Sequence, residues 1–195
     1  MSAALVAIVA GYLLGSIPFG LVLTRLAGLG DIRAVGSGNI GATNVLRTGR
    51  KDIAALTLLL DGGKGAVAAL AMQHWAGELP ALLAGVAAVI GHCTSPWIGF
   101  KGGKGVATAL GVILAWSWQA GIACLLVWLA AAYLSKRSSV GGLASMGAAP
   151  ILLWIWSGGP AALAGLALAA ISVFRHQANI ARLLAGTEPR IGQGR

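Results

Sequence analysis

Long apolar stretches alternate with short polar ones along the whole chain. A helix that spans a bilayer needs about 20 apolar residues, and about 17 is the practical lower limit. The fourth apolar run, residues 105–117, is below this limit, so we expect it to be tilted, re-entrant or extended at one end. The pattern predicts an all-α integral membrane protein with about seven transmembrane helices. The apolar runs cover roughly 3–26, 53–75, 80–98, 105–117, 119–135, 139–157 and 160–176.

The composition agrees with a lipid environment. Of the 195 residues, 57% are hydrophobic and 10% are charged, whereas soluble domains contain about 25% charged residues. A soluble fold of this length cannot bury that much apolar surface. The formal net charge is +9, but cytoplasmic loops of membrane proteins collect Lys and Arg, so we predict no nucleic-acid partner. The two cysteines are too few to indicate a disulfide framework.

The basic residues indicate an orientation. Every second connection between apolar runs is basic, and the others, "AGEL", "WSWQ" and "SGGP", contain no Lys or Arg. By the positive-inside rule, the basic connections and the C-terminus are cytoplasmic and the N-terminus lies outside. We expect a single membrane-embedded domain, residues 1–195, with its polar chemistry on the cytoplasmic face. The basic residues in these segments include Arg33, Arg47, Arg50, Lys51, Lys101, Lys104, Lys136, Arg137, Arg175, Arg182, Arg190 and Arg195.

The first polar cluster is "GSGNIGATNVLR" at residues 36–47, within the only long loop. Its glycines permit positive φ angles and close backbone approach, and a guanidinium suits phosphate oxygens. The cluster is therefore a candidate anion site, and the alternative is a capped turn with a topology-setting arginine. Its polar side chains are Ser37, Asn39, Thr43, Asn44 and Arg47.

The second cluster is "FKGGKG" at residues 100–105, which leads directly into the fourth apolar run. Small residues, a lysine and a helix N-terminus together form a good cradle for an anion. The spacing of a P-loop is absent, and the alternative is a flexible turn whose lysines set the topology.

A near copy, "DGGKGA" at residues 61–66, lies inside the second apolar run. Charged residues within a span are expensive and mark function or mutual pairing. Asp61 and Lys64 are three residues apart, so they can pair on one helical face. The alternative is that Lys64 lines a polar cavity.

The third cluster is "FRHQANIARLLAGTEP" at residues 174–189. His176, Asn179 and Arg182 recur every three residues and form one polar stripe on a helix, and Glu188 follows. The alternative is a solvated amphipathic tail at the membrane interface.

The remaining inventory excludes several chemistries. No serine lies in a G-x-S-x-G context, and no Cys, His or carboxylate set has metal-ligand spacing. Carboxylates are scarce, so we expect no carboxylate-pair catalysis, no metal and no cofactor. Arginine, lysine, asparagine, serine, histidine and glycine amides bind anions and stabilise developing negative charge.

The polar clusters together resemble motifs of the bacterial acyl-phosphate-dependent glycerol-3-phosphate acyltransferase family. The matching stretches are "SGNIGATNVLR" at 37–47, "GH" at 91–92 with "FKGGKGVAT" at 100–108, and "RH" with "NI" within 175–188. "SKRSSVGGLAS" at 135–145 also looks like a family segment. They occur in family order, and the resemblance covers almost the whole chain.

The resemblance implies a reaction and a place for it. An acyl group passes from an acyl phosphate to the 1-hydroxyl of sn-glycerol 3-phosphate, which gives lysophosphatidic acid and phosphate at the start of phospholipid synthesis. We expect direct attack by the hydroxyl without an acyl-enzyme. The expected setting is the bacterial cytoplasmic (inner) membrane, with the active site on the cytoplasmic side. Expected partners are the two small-molecule substrates, membrane lipid and the upstream enzyme that forms the acyl phosphate.

The resemblance also implies roles for individual residues. The implied catalytic residues are Ser37, Arg47, Lys104, His176 and Asn179. The implied substrate-binding residues are Gly38, Asn39, Thr43, Asn44, Lys101, Gly102, Gly103, Gly105, Ser138, Ser139, Arg182 and Glu188. For Glu188 the alternative is a structural role in support of the loop.

Two other functional classes fit parts of the sequence. Lys64 within a span and short, glycine-broken helices also suit a transporter of phosphate-bearing anions. A non-catalytic membrane scaffold would make the motifs accidental. A transporter needs polar access from both membrane faces, so polar chemistry confined to one face favours the enzyme.

Overall fold

The computed structural model describes residues 2–191, and within this part of the chain every regular element is helical. Short 3-10 turns lie at Ile32–Ala34, Leu46–Thr48 and Pro96–Ile98. The predicted all-α class is therefore confirmed for the described residues. The α-helices are α1 Ala3–Gly15, α2 Phe19–Leu26, α3 Ala42–Val45, α4 Lys51–Ala76, α5 Glu78–Cys93, α6 Val106–Trp116, α7 Trp118–Ser135, α8 Ser138–Ser157, α9 Gly159–Arg175 and α10 Gln177–Leu184.

Each predicted apolar run coincides with helix, but the helices differ in their capacity to span. α6 has 11 residues, which is about half the length that a bilayer requires. α9 and α10 meet at a bend of 62° and add one further candidate span if they cross together. Seven spans and an external N-terminus therefore stay predictions. Helical segments long and apolar enough to cross a membrane are Ala3–Leu26, Lys51–Ala76, Glu78–Ile98, Trp118–Ser135 and Ser138–Ser157.

The first apolar run is broken at residues 16–18, between α1 and α2. Pro18 has no backbone N–H and cannot continue the helical ladder. The segment after α5 supplies substitute partners, because Ser95 Oγ donates to the carbonyl oxygen of Ser16 at 2.6 Å and Trp97 Nε1 donates to Ser16 Oγ at 2.8 Å. The break therefore joins α1 to the segment that precedes the second polar cluster.

Small residues bring the spanning helices into backbone contact. A Cβ atom at Gly11 would overlap the carbonyl oxygen of Ala84, and one at Gly15 would overlap that of Ala88. α6 approaches α4 in the same way, because a Cβ atom at Gly111 would overlap the Gly62 carbonyl. Packing of small residues at this distance is the usual means of helix association in lipid.

The core lies between the carboxyl-terminal helices, and large apolar side chains remain on the outside. Val112, Ile113 and Leu153 are fully buried, whereas Leu163 and Trp154 are 71% and 65% exposed. Many other large apolar side chains are exposed in the same way. Such a surface is incompatible with water and suits lipid contact.

The long loop between α2 and α4 has its own small core. Leu21, Ile32, Ile40, Val45 and Ala54 are buried against one another. This cluster fixes the first polar motif against the ends of α2 and α4, so the motif is held in a defined conformation.

Candidate active site

A cavity of about 520 Å³ collects residues from all the polar clusters. Its polar lining comes from the loop at residues 36–47, from Asp61 on α4 and His92 on α5, from the starts of α6 and α8, and from the α9–α10 junction, α10 and the segment after it. Its apolar lining comes from α4, α6 and α7. The apolar side chains include Leu58, Val106, Leu110, Leu125, Trp128 and Leu129.

Asn44 organises the loop that contains the first cluster. Its side chain is buried, at 2% exposure. Its Oδ1 accepts from Ser37 N at 3.0 Å, from Ser37 Oγ at 3.2 Å and from Arg47 Nη1 at 3.3 Å. Its Nδ2 donates to backbone carbonyl oxygens, those of Ile32 at 3.0 Å, Val35 at 2.9 Å and Asn39 at 2.8 Å. Because the loop occupies both ends of this amide, Asn44 positions Ser37 and Arg47.

Gly36 leaves room for Arg47. Its φ is 53°, and a Cβ atom there would lie 2.7 Å from both Arg47 Nη1 and Asn44 Oδ1. Arg47 lines the cavity. Within residues 2–191 its guanidinium has no carboxylate partner, so its charge is available to a bound anion.

The glycine loop, residues 102–105, is fixed from two sides. The Gly102 and Gly103 amides donate to the carbonyl oxygens of Cys93 and His92, each at 3.1 Å. Arg175 donates from Nε to the Gly103 carbonyl at 3.1 Å and from Nη2 to the Gly102 carbonyl at 3.0 Å. The amides of these two glycines are thus used within the protein rather than offered to a ligand.

The backbone N–H groups that remain free lie immediately after Gly102 and Gly103, where α6 begins. Lys104, Gly105, Val106 and Ala107 line the cavity, and the first N–H groups of a helix have no partner within the helix. No side chain caps this N-terminus, so its amides and its dipole favour an anion. Burial is the largest cause that lowers the pKa of Lys104; the Glu188 carboxylate opposes it, neighbouring arginines add to it, and the net pKa is about 8.

His176 lies at the bend between α9 and α10 and is 2% exposed. Its Nδ1 is 2.8 Å from the carbonyl oxygen of Ser172. A carbonyl only accepts, so Nδ1 carries the hydrogen and, in the neutral ring, Nε2 is a free acceptor. His176 therefore presents a basic nitrogen in the cavity lining.

Glu188 joins the third cluster to the start of α8. Its carboxylate accepts from Ser139 Oγ at 2.6 Å, Asn179 Nδ2 at 2.6 Å and Arg182 Nε at 2.7 Å. Burial raises the pKa of Glu188, but these three hydrogen bonds outweigh it and the net pKa is lowered. Two members of the predicted polar stripe, Asn179 and Arg182, are thus held by one carboxylate.

A charged cluster inside the membrane-spanning region lies beside this cavity. Lys64 Nζ donates to Asp61 Oδ1 at 2.8 Å, so the predicted pairing is present. Lys64 Nζ is also 2.8 Å from His92 Nδ1. Asp61 and His92 line the cavity, whereas Lys64 lies behind them. His92 had no predicted role; its only signal was the "GH" motif at 91–92.

Most residues predicted for the site meet at the cavity. Gly38, Lys101, Gly102 and Gly103 do not line it, although the two glycines support Lys104. The sequence does not predict that Asp61, His92 and Trp128 line the cavity, or that Arg175 holds the glycine loop. Within residues 2–191 no group of three or more His, Cys, Asp or Glu side chains has the arrangement of a metal site. The predicted residues that line the cavity are Ser37, Asn39, Thr43, Asn44, Arg47, Lys104, Gly105, Ser138, Ser139, His176, Asn179, Arg182 and Glu188.

The apolar helices and the cavity define a multi-pass integral membrane protein with a cavity lined by basic side chains. Comparison with known proteins gives the family. Residues 5–186 match the family model described as glycerol-3-phosphate acyltransferase, and the chain belongs to that family. The resemblance found in the motifs is confirmed.

Curated relatives and solved structures agree with this assignment. Glycerol-3-phosphate acyltransferases of Paramagnetospirillum magneticum and Maricaulis maris are 56% and 54% identical, over 93% and 97% of this chain and 90% and 88% of theirs. The crystal structure of PlsY (YgiH), an integral membrane glycerol 3-phosphate acyltransferase, in its glycerol 3-phosphate form is 39% identical with a TM-score of 0.92, covering 98% of this chain and 96% of that one. Its lysophosphatidic acid form has a TM-score of 0.90 at 37% identity, with the same coverage.

Proposed function

We propose that this protein transfers a fatty acyl group from an acyl phosphate to the 1-hydroxyl of sn-glycerol 3-phosphate. The products are lysophosphatidic acid and inorganic phosphate. Family membership supports the acyl acceptor, and the related PlsY was crystallised in glycerol 3-phosphate and lysophosphatidic acid forms. The acyl-phosphate donor rests on the motif resemblance.

One observation carries the proposal: the cavity combines several cations with an apolar wall. Arg47, Lys104 and Arg182 all line it, and of these only Arg182 has a carboxylate partner within residues 2–191. Both proposed substrates carry a phosphate, and one carries an acyl tail. A cavity with free cations and an apolar wall suits both substrates at once.

The acyl tail lies, in this proposal, between α4 and α7. Leu58, Leu125 and Leu129 line the cavity, and they are 50%, 39% and 49% exposed. Apolar side chains that line the cavity and remain this exposed suit a route from the polar site to lipid. The donor enters from the membrane by this route, while glycerol 3-phosphate enters from water.

The chemistry proceeds by direct attack. The 1-hydroxyl oxygen bonds to the acyl carbon, the bond from that carbon to the phosphate oxygen breaks, and the hydroxyl proton passes to a substrate phosphate oxygen. An acyl phosphate is already activated, so positioning and charge neutralisation suffice. Ser37 Oγ donates to the Asn44 amide oxygen, which is not a base, so Ser37 binds substrate rather than forming an acyl-enzyme.

Individual roles follow from the contacts. Arg47 and Lys104 neutralise the phosphates, and the free Nε2 of His176 orients the attacking hydroxyl. Asn179 and Arg182 each donate a hydrogen bond to glycerol 3-phosphate, while Glu188 holds both side chains in place through Asn179 Nδ2 and Arg182 Nε. Metal and cofactor play no part in this scheme.

The proposed setting is the bacterial cytoplasmic membrane, with the cavity on the cytoplasmic side. The whole chain acts as one membrane domain with seven spans and an external N-terminus, because the basic connections then lie inside. Membrane lipid and the enzyme that supplies the acyl phosphate are its proposed partners.

The first test is an assay of the purified protein in lipid with labelled glycerol 3-phosphate. We expect lysophosphatidic acid and phosphate with palmitoyl phosphate as donor and none with palmitoyl-CoA. Arg47→Ala removes a cation of the site and is expected to lower kcat/KM about 100-fold. Arg50→Ala is the matched control, since Arg50 pairs with Asp52 outside the cavity and its loss leaves turnover unchanged.

Three results would contradict parts of the proposal. No product from demonstrably folded protein contradicts the acyltransferase reaction, and equal turnover with palmitoyl-CoA contradicts the acyl-phosphate dependence. A covalent acyl group trapped on Ser37 contradicts direct attack.

A further inference from the structure

We propose that Lys64 is a positioning residue for the glycine loop and acts through His92. The inference rests on the proposed acyl transfer, because it assigns the buried charged cluster a part in that reaction. The cluster consists of Asp61 and Lys64 on α4 and His92 on α5, which are 1%, 4% and 4% exposed.

All three hydrogens of the Lys64 ammonium are used. They point to the Ile17 carbonyl oxygen at 2.7 Å, Asp61 Oδ1 at 2.8 Å and His92 Nδ1 at 2.8 Å. An ammonium only donates, so His92 Nδ1 accepts and the ring carries its hydrogen on Nε2. Lys64 thus fixes both the tautomer and the position of the His92 ring.

His92 in turn supports the glycine loop by two contacts. Its carbonyl oxygen accepts the Gly103 N–H at 3.1 Å. Its ring occupies the space where a side chain at residue 103 would lie, because a Cβ atom there would overlap Nε2. The loop therefore lies directly on the ring that Lys64 holds.

Arg175 holds the loop from the other side through the Gly102 and Gly103 carbonyls. Lys104, the next residue, lies in the cavity lining and has no carboxylate partner within residues 2–191. A shift of the His92 ring therefore moves Lys104 relative to the bound phosphate. Misplacement by about 1 Å can reduce a rate about 100-fold.

The hydrogen bond to the Ile17 carbonyl gives Lys64 a structural contact at the break between α1 and α2, but one carbonyl partner does not require a buried ion pair. A buried ion pair in a span is expensive, and apolar residues of similar volume can replace many such pairs without loss of stability. Lys64 itself lies outside the cavity lining, so direct contact with substrate does not account for it either. Positioning of the His92 ring by Lys64 explains both the buried charge and its place outside the cavity lining.

The test variant is the double substitution Asp61→Asn/Lys64→Met, which removes both charges together and leaves no buried unpaired ion. We expect the midpoint of thermal unfolding in detergent to fall, because the Ile17 carbonyl loses the Lys64 donor, so both proteins are assayed at a temperature where the variant stays folded. We expect kcat/KM for palmitoyl phosphate to fall about 10- to 100-fold, because loop placement is lost, while KM for glycerol 3-phosphate stays within about twofold. Thr57→Val, a buried polar change in the same helix, is the matched control and leaves both parameters unchanged.

A double-mutant cycle separates action through His92 from an independent effect. His92→Phe keeps a ring beside Gly103 but removes both nitrogens. If Lys64 acts through His92, adding Asp61→Asn/Lys64→Met to His92→Phe changes kcat/KM by less than about twofold, since coupled residues are non-additive. If the two sets of substitutions lower kcat/KM independently, so that their fold-effects multiply, the proposal is overturned.

A spin label gives a readout without turnover. Phe100 is 63% exposed and precedes the loop, whereas the native Cys93 and Cys124 are buried. A nitroxide on Phe100→Cys is expected to become more mobile in the double variant and not in Thr57→Val. Unchanged mobility and unchanged kinetics in an active protein overturn the inference. An inactive wild type contradicts the proposed function instead, and the label still tests the positioning.

Discussion

Lys104 is the residue whose charge matters most to the proposed reaction. Burial holds its pKa at about 8, so the ammonium prevails below that pH and the neutral amine above it. Substrate phosphates lose their second proton near pH 6, so their charge is constant in the range where Lys104 titrates. We expect KM for palmitoyl phosphate to rise about tenfold between about pH 7 and about pH 9, measured from steady-state rates.

Lys104→Arg tests the origin of that rise. A guanidinium stays charged across the range, so the KM of the variant is expected to be flat with pH, even if its value at neutral pH is higher. Lys51→Arg, at an exposed position outside the cavity, is the control and keeps the wild-type profile. A Lys104→Arg profile that still rises would assign the titration to another group.

At this scale the sequence predicts which residues line the cavity better than which atoms each one contacts. Asn44 is implied to bind substrate, but the loop occupies both ends of its amide. Glu188 accepts three hydrogen bonds from the protein, which favours its structural role over substrate binding. Hydrogen-bond partners such as Ser139 and Glu188 are 49 residues apart, and no local pattern reveals such a pairing. The interaction of Arg175 with the glycine-loop carbonyls is hidden for the same reason.

At the scale of elements, the apolar runs located the helices because a backbone in lipid must satisfy its own hydrogen bonds. The break at residues 16–18 and the bend at His176 were not predicted. Each needs partners from elsewhere, Ser95 and Trp97 for the first. Hydrophobicity alone gives neither the partners nor the resulting kink.

Contact between α1 and α5 allows a prediction about stability. Gly11→Ala adds one methyl group that meets the Ala84 backbone, and overpacking of this kind costs about 1–3 kcal/mol. The measurement is the free energy of unfolding in mixed micelles. Gly63→Ala on α4 is the matched control, because a Cβ atom there has nothing within 4 Å; it is expected to be neutral or slightly stabilising.

The two glycines differ only in what surrounds them. Equal stability of Gly11→Ala and Gly63→Ala would mean that α1 and α5 are not in backbone contact. The interpretation of Gly11, Gly15, Ala84 and Ala88 as a packing surface would then fail.

At the scale of the whole molecule, distant segments form one site because each polar cluster follows or precedes a spanning helix. The loop before α4, the loop before α6 and the segment after α9 contribute Arg47, Lys104 and Asn179 to one cavity. The sequence could predict their common side from the alternation of basic connections. It could not predict that these three residues meet at one cavity, since the packing of the helices decides which loops lie together.

The common side itself can be measured by cysteine labelling. Glu78 begins α5 in a connection without Lys or Arg, and Phe100 follows that helix in a basic connection; both are exposed. Neither substitution removes a basic residue, so the charges that set topology are kept. In intact spheroplasts a membrane-impermeant maleimide is expected to label Glu78→Cys but to label Phe100→Cys only after permeabilisation. The native cysteines are buried, and the unsubstituted protein is the control. The opposite pattern would invert the proposed orientation and move the cavity to the outer face, whereas labelling of both from one side would mean that α5 does not cross.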